Sequence, residues 1–148
     1  MTIINAHIEH LDLIAPIFDA YRVFYRQKSD IEAAKIFLYE RFKNKESIIY
    51  LAMSDDKAVG FTQLYPLFSS VSMQRMYILN DLYVAPEHRN QGIAEKLINK
   101  AKELCVSLNH KGLGLQTAQD NPAQKLYERL DFKRDTDLQY FWTNSNLK

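Results

Sequence analysis

The sequence LYVAPEHRNQGIAEKL occupies residues 82–97 and passes from an apolar, strand-like run through a polar loop into a helix. The first turn of a helix carries main-chain N–H groups without internal partners, and the helix dipole adds partial positive charge there. Gly92 lets the backbone approach an anion closely, Ala94 keeps the next turn small, and Arg89 adds a cation. This combination predicts a site for a diphosphate.

A purely structural interpretation of the same loop is that Gly92 only opens the helix and that Arg89 is a solvated surface residue. Two other nucleotide-binding motifs are excluded. The chain has no Gly-Lys-Ser/Thr of a P-loop, and Gly112-Leu113-Gly114 lacks the third glycine and the following helix of a dinucleotide fingerprint.

Composition limits the class of protein. The 148 residues are 47% hydrophobic, with 19 Lys and Arg against 18 Asp and Glu, so we expect one domain without nucleic-acid or membrane partners. Cys105 is the only cysteine, which excludes an intramolecular disulfide and favours a cytoplasmic location. It lies on the apolar stripe of a predicted helix, which favours inert packing. The four histidines are dispersed, so no metal site is expected. No apolar run suits a spanning helix or a signal peptide.

Hydrophobic periodicity predicts ten elements around the loop. The predicted strands are Thr2–Ile8, Ser47–Met53, Ala58–Tyr65, Arg75–Val84, Leu113–Ala118 and Leu138–Thr143, and the predicted helices are Leu11–Tyr25, Ile31–Phe42, Ile93–Leu108 and Pro122–Leu130. Strands mixed with helical crossovers indicate an α/β (α+β) domain with helices flanking one mixed sheet. Simple alternation places Leu79, Asp81 and Tyr83 on one face of their strand and Ile78, Leu82 and Val84 on the other.

The loop resembles that of the GNAT superfamily of acetyl-CoA-dependent N-acetyltransferases, whose pattern is Arg/Gln-x-x-Gly-x-Gly/Ala. Downstream, Ala123, the segment Leu126-Tyr127-Glu128, and Phe132 are similar to the family's next helix and turn. The order of elements matches the three-layer GNAT fold over nearly the whole chain. Within the superfamily, the segments around residues 60–62, 79–84 and 140–141 look most like the diamine acetyltransferase branch.

The resemblance implies a set of acetyl-CoA contacts. They are Leu82, Tyr83 and Val84 along the pantetheine arm, Arg89, Asn90, Gln91, Gly92, Ile93, Ala94 and Glu95 at the pyrophosphate, and Asp120, Asn121, Ala123 and Tyr127 downstream. The family's asparagine seven residues before the tyrosine falls on Asp120, with Asn121 one place later, so either could make that contact. The family's glycine at the end of this helix is replaced by Asp131, which can adopt a left-handed conformation at some cost.

The resemblance also implies the chemistry, in which an amine attacks the thioester directly. The main-chain N–H near Leu82 would polarise the thioester carbonyl, and Tyr127 would protonate the departing thiolate. Tyr127 could instead be a core tyrosine. The acid that serves as base in the diamine branch falls on Asn80, which cannot accept a proton. Asp81 is a candidate base if a bulge re-aims it, and an ordered water or an already neutral amine would serve equally.

The acceptor is expected to be a small-molecule amine bound near Asn80. The segment between the first two helices is basic and aromatic through Arg22, Tyr25 and Arg26, which favours an amine that also carries an anionic group over a polyamine. These arginines could equally be solvated helix residues. Aromatic residues 140–142 could line a homodimer contact. A non-catalytic acyl-CoA sensor of the same fold is the alternative function.

Overall fold

Strands and helices follow the chain in the predicted order up to the last helix. The computed structural model describes residues 1–147, which divide into two units, Met1–Gln116 and residues 117–147. The strands are β1 Thr2–Asn5, β2 Ile48–Ser54, β3 Lys57–Ser69, β4 Gln74–Val84 and β5 Leu113–Gly114. The helices are α1 Leu11–Phe24, α2 Ile31–Lys43, α3 Ile93–Ser107 and α4 Gln124–Arg129. Within residues 1–147, no helix is long and apolar enough to cross a membrane.

The first unit is a mixed sheet with helices on both faces. Its strand order is β1-β2-β3-β4-β5, in which neighbours pair antiparallel except for the parallel pair β4 and β5. On one face α1 and α2 bury an apolar cluster that includes Ile14, Phe18 and Leu38 and packs on Phe61 and Tyr83 of the sheet. On the other face α3 buries Ile93, Leu97, Ile98, Ala101 and Cys105. This three-layer arrangement confirms the predicted fold class.

The ladder between β3 and β4 contains a bulge at Asn80. Gln63 pairs with Asp81, whereas the next residue, Leu64, pairs with Leu79, so Asn80 has no partner in the ladder. Because consecutive residues of β3 point to opposite faces, Leu79 and Asp81 also lie on opposite faces. The prediction from simple alternation that Leu79 and Asp81 share a face is therefore wrong.

The second unit holds α4 and the C-terminal segment. α4 ends in a Schellman motif, in which the N–H of Phe132 donates to the carbonyl of Tyr127 at 3.0 Å and Asp131 takes a positive φ of 69°. The left-handed conformation predicted for Asp131 is thus confirmed. The predicted strand Leu138–Thr143 is wrong, because this segment forms no ladder with any described residue and a strand needs one. Its Tyr140 and Trp142 side chains are 86% and 82% exposed.

A buried carboxylate fixes the connection between α1 and α2. Asp19, which is 6% exposed, accepts hydrogen bonds from the Ser29 hydroxyl at 2.6 Å and from the N–H of Asp30 at 2.8 Å. Asp30 in turn caps α2, because its side chain accepts from the N–H of Ala33 at 3.1 Å. Asp19 therefore holds the start of α2 against α1.

We expect Asp19→Ala to lower the free energy of unfolding by about 2–3 kcal/mol, since it removes the buried carboxylate that accepts two part-buried hydrogen bonds. Asp12→Ala is the matched control on the same helix. Asp12 forms an ion pair with Lys35 while its side chain is 88% exposed, and such pairs contribute little. Urea unfolding of both variants measures the difference. Equal losses would show that Asp19 does not anchor the connection.

Candidate active site

The loop before α3 presents free main-chain donors to open space. Asn90 and Gly92 both take positive φ angles, 62° and 76°, and Gly92 caps the helix by accepting from the N–H of Lys96 at 3.1 Å. In residues 1–147, the N–H groups of residues 90–92 donate to no main-chain acceptor. A Cβ added to Gly92 would meet nothing within 4 Å. The loop therefore fits the diphosphate predicted from the sequence, with Ile93, Ala94 and Glu95 forming the first turn.

Arg89 joins this loop to the end of β4 and to α1. Its Nε donates to the carbonyl of Val84 at 2.9 Å, and its guanidinium carbon lies 5.4 Å from the ring centroids of both Phe24 and Tyr83. These are cation–π distances. Arg89 is exposed, yet its contacts fix the guanidinium at the junction of the loop, the strand and the helix.

The last residues of β4 form an open strand edge. Pairing between β4 and β5 stops at Ile78 opposite Gly114. The N–H of Ala85 donates to the carbonyl of Val59 at 2.9 Å, which sets the alternation of the ladder. By that alternation Leu82 and Val84 turn their N–H and carbonyl groups away from β3. This is the orientation that an extended ligand needs in order to pair with Leu82, Tyr83 and Val84.

Gly60 keeps this edge close to α3. A Cβ at Gly60 would lie 3.0 Å from the carbonyl oxygen of Tyr83 and 3.3 Å from the side chain of Ile93. Any larger residue would push β3 away from the end of β4 and from the first turn of α3. The loop and the open edge are thus held in one fixed relation.

The bulge turns Asp81 toward α1, where it is buried. Asp81 is 3% exposed, and its carboxylate accepts from the side-chain amide of Asn80 at 2.8 Å and from that of Gln63. Burial raises the pKa of Asp81 above its ordinary value, and hydrogen bonds from Gln63, Asn80 and Tyr21 oppose that rise. The sequence-based condition for Asp81 as a base, that a bulge re-aims it, is met.

Tyr21 covers this carboxylate from α1. Its hydroxyl donates to the carbonyl of Asn80 at 3.5 Å and lies beside the Asp81 side chain. Burial, with the charge of Asp81, raises the pKa of Tyr21, and burial likewise raises the pKa of Tyr65 on β3. Both phenols therefore stay protonated at neutral pH.

The side chains predicted to bind the acceptor lie at the C-terminal end of α1. Tyr25 stacks edge-on against Tyr21 with ring centroids 5.0 Å apart, which brings it to the bulge. Arg22 donates to the carbonyl of Lys28 at 3.4 Å, and Arg26 has a φ of 67° in the turn that follows. Among residues 1–147, neither arginine forms an ion pair with a carboxylate. No hydrogen bond of the described residues joins either arginine to the bulge.

The remaining predicted cofactor contacts belong to the second unit. Asn121 uses its side-chain amide locally, donating to the Thr117 hydroxyl at 2.8 Å and accepting from the N–H of Ala123 at 2.9 Å. Asp120 is exposed. Tyr127 lies on α4 with its ring 6.0 Å from that of Phe132. These contacts describe the turn into α4, and the predicted roles of these residues stay predictions.

Three side chains around Asp81 were not predicted from the sequence: Tyr21, Gln63 and Tyr65. Tyr21 lies on the apolar stripe of its helix and so resembles an ordinary core residue. Gln63 gave the one usable signal, since it is a polar side chain within an apolar strand run, Gly60–Leu64. A polar residue at a buried strand position must find a partner.

Cys105 takes no part in this site. Cys105 is 6% exposed on α3 and burial raises the pKa of its thiol, as expected for inert packing. Within residues 1–147, no three His, Cys, Asp or Glu side chains come together as a metal ion would require.

Comparisons with known proteins agree with this geometry. Residues 14–132 match the model of the acetyltransferase (GNAT) family. An uncharacterized N-acetyltransferase of Bacillus subtilis is 44% identical over 149 residues, covering all of both chains. The crystal structure of a probable acetyltransferase is 42% identical, covers all of both chains and superimposes with a TM-score of 0.92. A thialysine N-epsilon-acetyltransferase of Sus scrofa is 40% identical over 48 residues, covering 32% of this chain and 28% of its own.

The family match spans most of the chain, and the Bacillus relative matches it from end to end. The open strand edge, the loop with free N–H groups and the bulge are all held within one three-layer fold. The chain therefore belongs to the GNAT acetyltransferase family and is an N-acetyltransferase.

Proposed function

We propose that this enzyme moves the acetyl group of acetyl-CoA directly to a primary amine of a small molecule. The observation that carries the proposal is that a loop of unpaired N–H groups directly follows an unpaired strand edge. Such a loop suits a diphosphate, and such an edge suits an amide-containing pantetheine arm. The GNAT family generally uses acetyl-CoA, which supplies an activated thioester.

In this proposal the protein supplies position and charge stabilisation rather than a nucleophile. Residues 90–95 hold the diphosphate, and the N–H of Leu82, facing the open edge, donates to the thioester carbonyl as negative charge develops there. Tyr127 gives its phenolic proton to the departing thiolate, a role that rests on the sequence match. The buried Cys105 thiol supports direct transfer without a covalent acyl-enzyme.

We further propose that the acceptor amine carries an anionic group. Arg22 and Arg26 stand at the end of α1 without carboxylate partners among residues 1–147, while Asp81, at the bulge, is buried. A second ammonium group would meet like charge there, and a carboxylate would meet opposite charge.

A non-catalytic acyl-CoA sensor is the second candidate, because Asn80 and Asp120 replace the residues expected in an active family member. The two candidates share the cofactor site and differ only in turnover. The experiments below separate them.

Gly92→Glu is expected to weaken acetyl-CoA binding at least about 10-fold, or roughly 1.4 kcal/mol. The new side chain brings a carboxylate to an anion site and strains a backbone with φ of 76°. Gly112→Glu is the matched control, since Gly112 is also open but lacks a positive φ. Isothermal titration calorimetry measures both. Unchanged binding in Gly92→Glu would place the cofactor elsewhere.

Tyr127→Phe is expected to lower kcat by about 100-fold or more, because a positioned general acid contributes at least that much. Thiol release from acetyl-CoA with a panel of amines measures the rate. Tyr140→Phe, the same change at an exposed tyrosine of the second unit, should leave the rate unchanged. Tight acetyl-CoA binding by the wild type without turnover of any amine would favour the sensor instead.

Arg22→Gln and Arg26→Gln are expected to reduce the preference for a carboxylated amine over its uncharged counterpart. Loss of one such charge contact should lower the ratio of the two kcat/KM values by about 10-fold. Glutamine keeps the Cβ of Arg26 and so leaves its backbone strain unchanged. Because the ratio is taken within each variant, an effect on folding cancels. An unaltered ratio in both variants would rule out an anionic acceptor group bound here.

A further inference from the structure

The proposed function leaves one step unassigned, because an acceptor ammonium must lose a proton before it can attack. Among residues 1–147, the carboxylate at the bulge is that of Asp81, which is 3% exposed. A substrate amine cannot reach so buried a group directly. A relay must therefore connect the two if Asp81 is the final proton acceptor.

Of the three side chains that touch the carboxylate, only one can carry a proton. The side-chain amides of Asn80 and Gln63 donate to Asp81, and an amide does not exchange protons at the rate of catalysis. Tyr21 has a hydroxyl, which donates and accepts at the same time. Tyr21 is also half-buried rather than enclosed, and it lies between the carboxylate and the exposed Tyr25.

The surroundings hold the Tyr21 ring while leaving its hydroxyl adaptable. The ring packs edge-on against Phe61 at 5.5 Å and Tyr83 at 6.1 Å, which fixes its plane. The hydroxyl lies beside the Asp81 carboxylate, and its hydrogen bond to the carbonyl of Asn80 is long, at 3.5 Å. A hydroxyl held this weakly can turn toward the carboxylate.

Gln63 explains how the buried carboxyl tolerates both protonation states. Its Nε2 donates to the Asp81 carboxylate, while its Oε1 is buried and has no hydrogen-bond partner among residues 1–147. A buried carboxylic acid needs an acceptor for its own proton. Rotation of the Gln63 amide by half a turn presents Oε1 to a protonated Asp81. The unpaired oxygen is thus the acceptor that the protonated state requires.

We propose that Tyr21 accepts a proton from the acceptor ammonium while passing its own hydroxyl proton to Asp81, and that Gln63 positions the carboxyl in both states. One N–H bond of the ammonium breaks, the hydroxyl of Tyr21 exchanges one proton for another, and one O–H bond forms on Asp81. The amine is left neutral with its lone pair free, and the proton later leaves Asp81 for solvent by the reverse path. Tyr21 is the catalytic residue here, and Gln63 is a positioning residue. The inference rests on the proposed amine acetylation.

The groups facing Asp81 decide the pH dependence. They are Tyr21 from α1 with Tyr25 behind it, Gln63 and Tyr65 from β3, and Asn80 from β4. Arg41 and Glu46 act on Tyr65. The hydrogen-bond donors lower the pKa of Asp81. Removing one of them should therefore move the acid limb of the rate profile, where the rate falls as Asp81 becomes protonated, to higher pH.

The experiment compares pH profiles of kcat/KM and kcat for the wild type, Tyr21→Phe, Gln63→Met and Asp81→Asn. We expect Tyr21→Phe to lower kcat by about 100-fold across the plateau with acetyl-CoA binding unchanged, since it loses a proton-transfer group. Gln63→Met should shift the acid limb to higher pH and retain more of the plateau rate, and Asp81→Asn should abolish the limb. Tyr77→Phe is the control. Tyr77 is a buried tyrosine on β4, the strand that carries Asp81, but its ring packs against His110 and not against the carboxylate.

A second measurement does not need turnover. The ¹³C resonance of the Asp81 carboxyl should titrate at higher pH in both Tyr21→Phe and Gln63→Met than in the wild type. A wild-type plateau in Tyr21→Phe would overturn the relay, and an acid limb that persists in Asp81→Asn would overturn Asp81 as the proton acceptor. In both cases amine acetylation itself stands. If the wild type acetylates no amine at all, the proposed function fails and the relay fails with it.

Discussion

One unpaired residue in the ladder of β3 and β4 determines where the polar groups of the site lie. Asn80 is the extra residue, so Leu79 faces α3 while Asp81 faces α1. The side-chain period of a strand is two, and removing one residue would move everything after it to the other face. Tyr83 would then leave the core beneath α1. The N–H of Leu82 would point toward β3 and no longer toward the open edge. The bulge therefore lets one strand serve both an apolar core and a polar site.

Aromatic packing connects the proposed acceptor side of the site with the proposed cofactor side. The ring of Tyr83 lies 6.1 Å from that of Tyr21 and 5.9 Å from that of Phe24, and Arg89 lies over Phe24 and Tyr83. The C-terminal end of α1 thus contacts the loop that begins at Arg89. Substrate and cofactor sites built on one such cluster need no separate scaffold, because each aromatic contact supports both.

The features that the sequence predicted are those set by a single segment. The apolar stripe of α3 identifies the helix, and the glycine at its start predicts an anion site, without knowledge of any neighbour. The bulge at Asn80 could not be found in this way, because the register of a ladder is set by two strands together and not by residues 78–84 alone. The wrong strand at Leu138–Thr143 has the same cause, since β-rich composition indicates that a segment can pair and not that a partner is present.

The buried Asp81 carboxylate lowers the free energy of unfolding by an amount that depends on pH. Asp81 has a pKa raised chiefly by burial, because the buried environment disfavours the charged form. As the pH falls through the folded-state pKa, the native protein binds a proton that the unfolded chain does not yet bind, and stability rises until the unfolded pKa is reached. The donors Gln63, Asn80 and Tyr21 reduce this cost without removing it. A carboxylate kept for packing alone would be better replaced by an amide, which would also satisfy the unpaired Oε1 of Gln63. A carboxyl group at this position can instead take up and release a proton, as the proposed transfer requires.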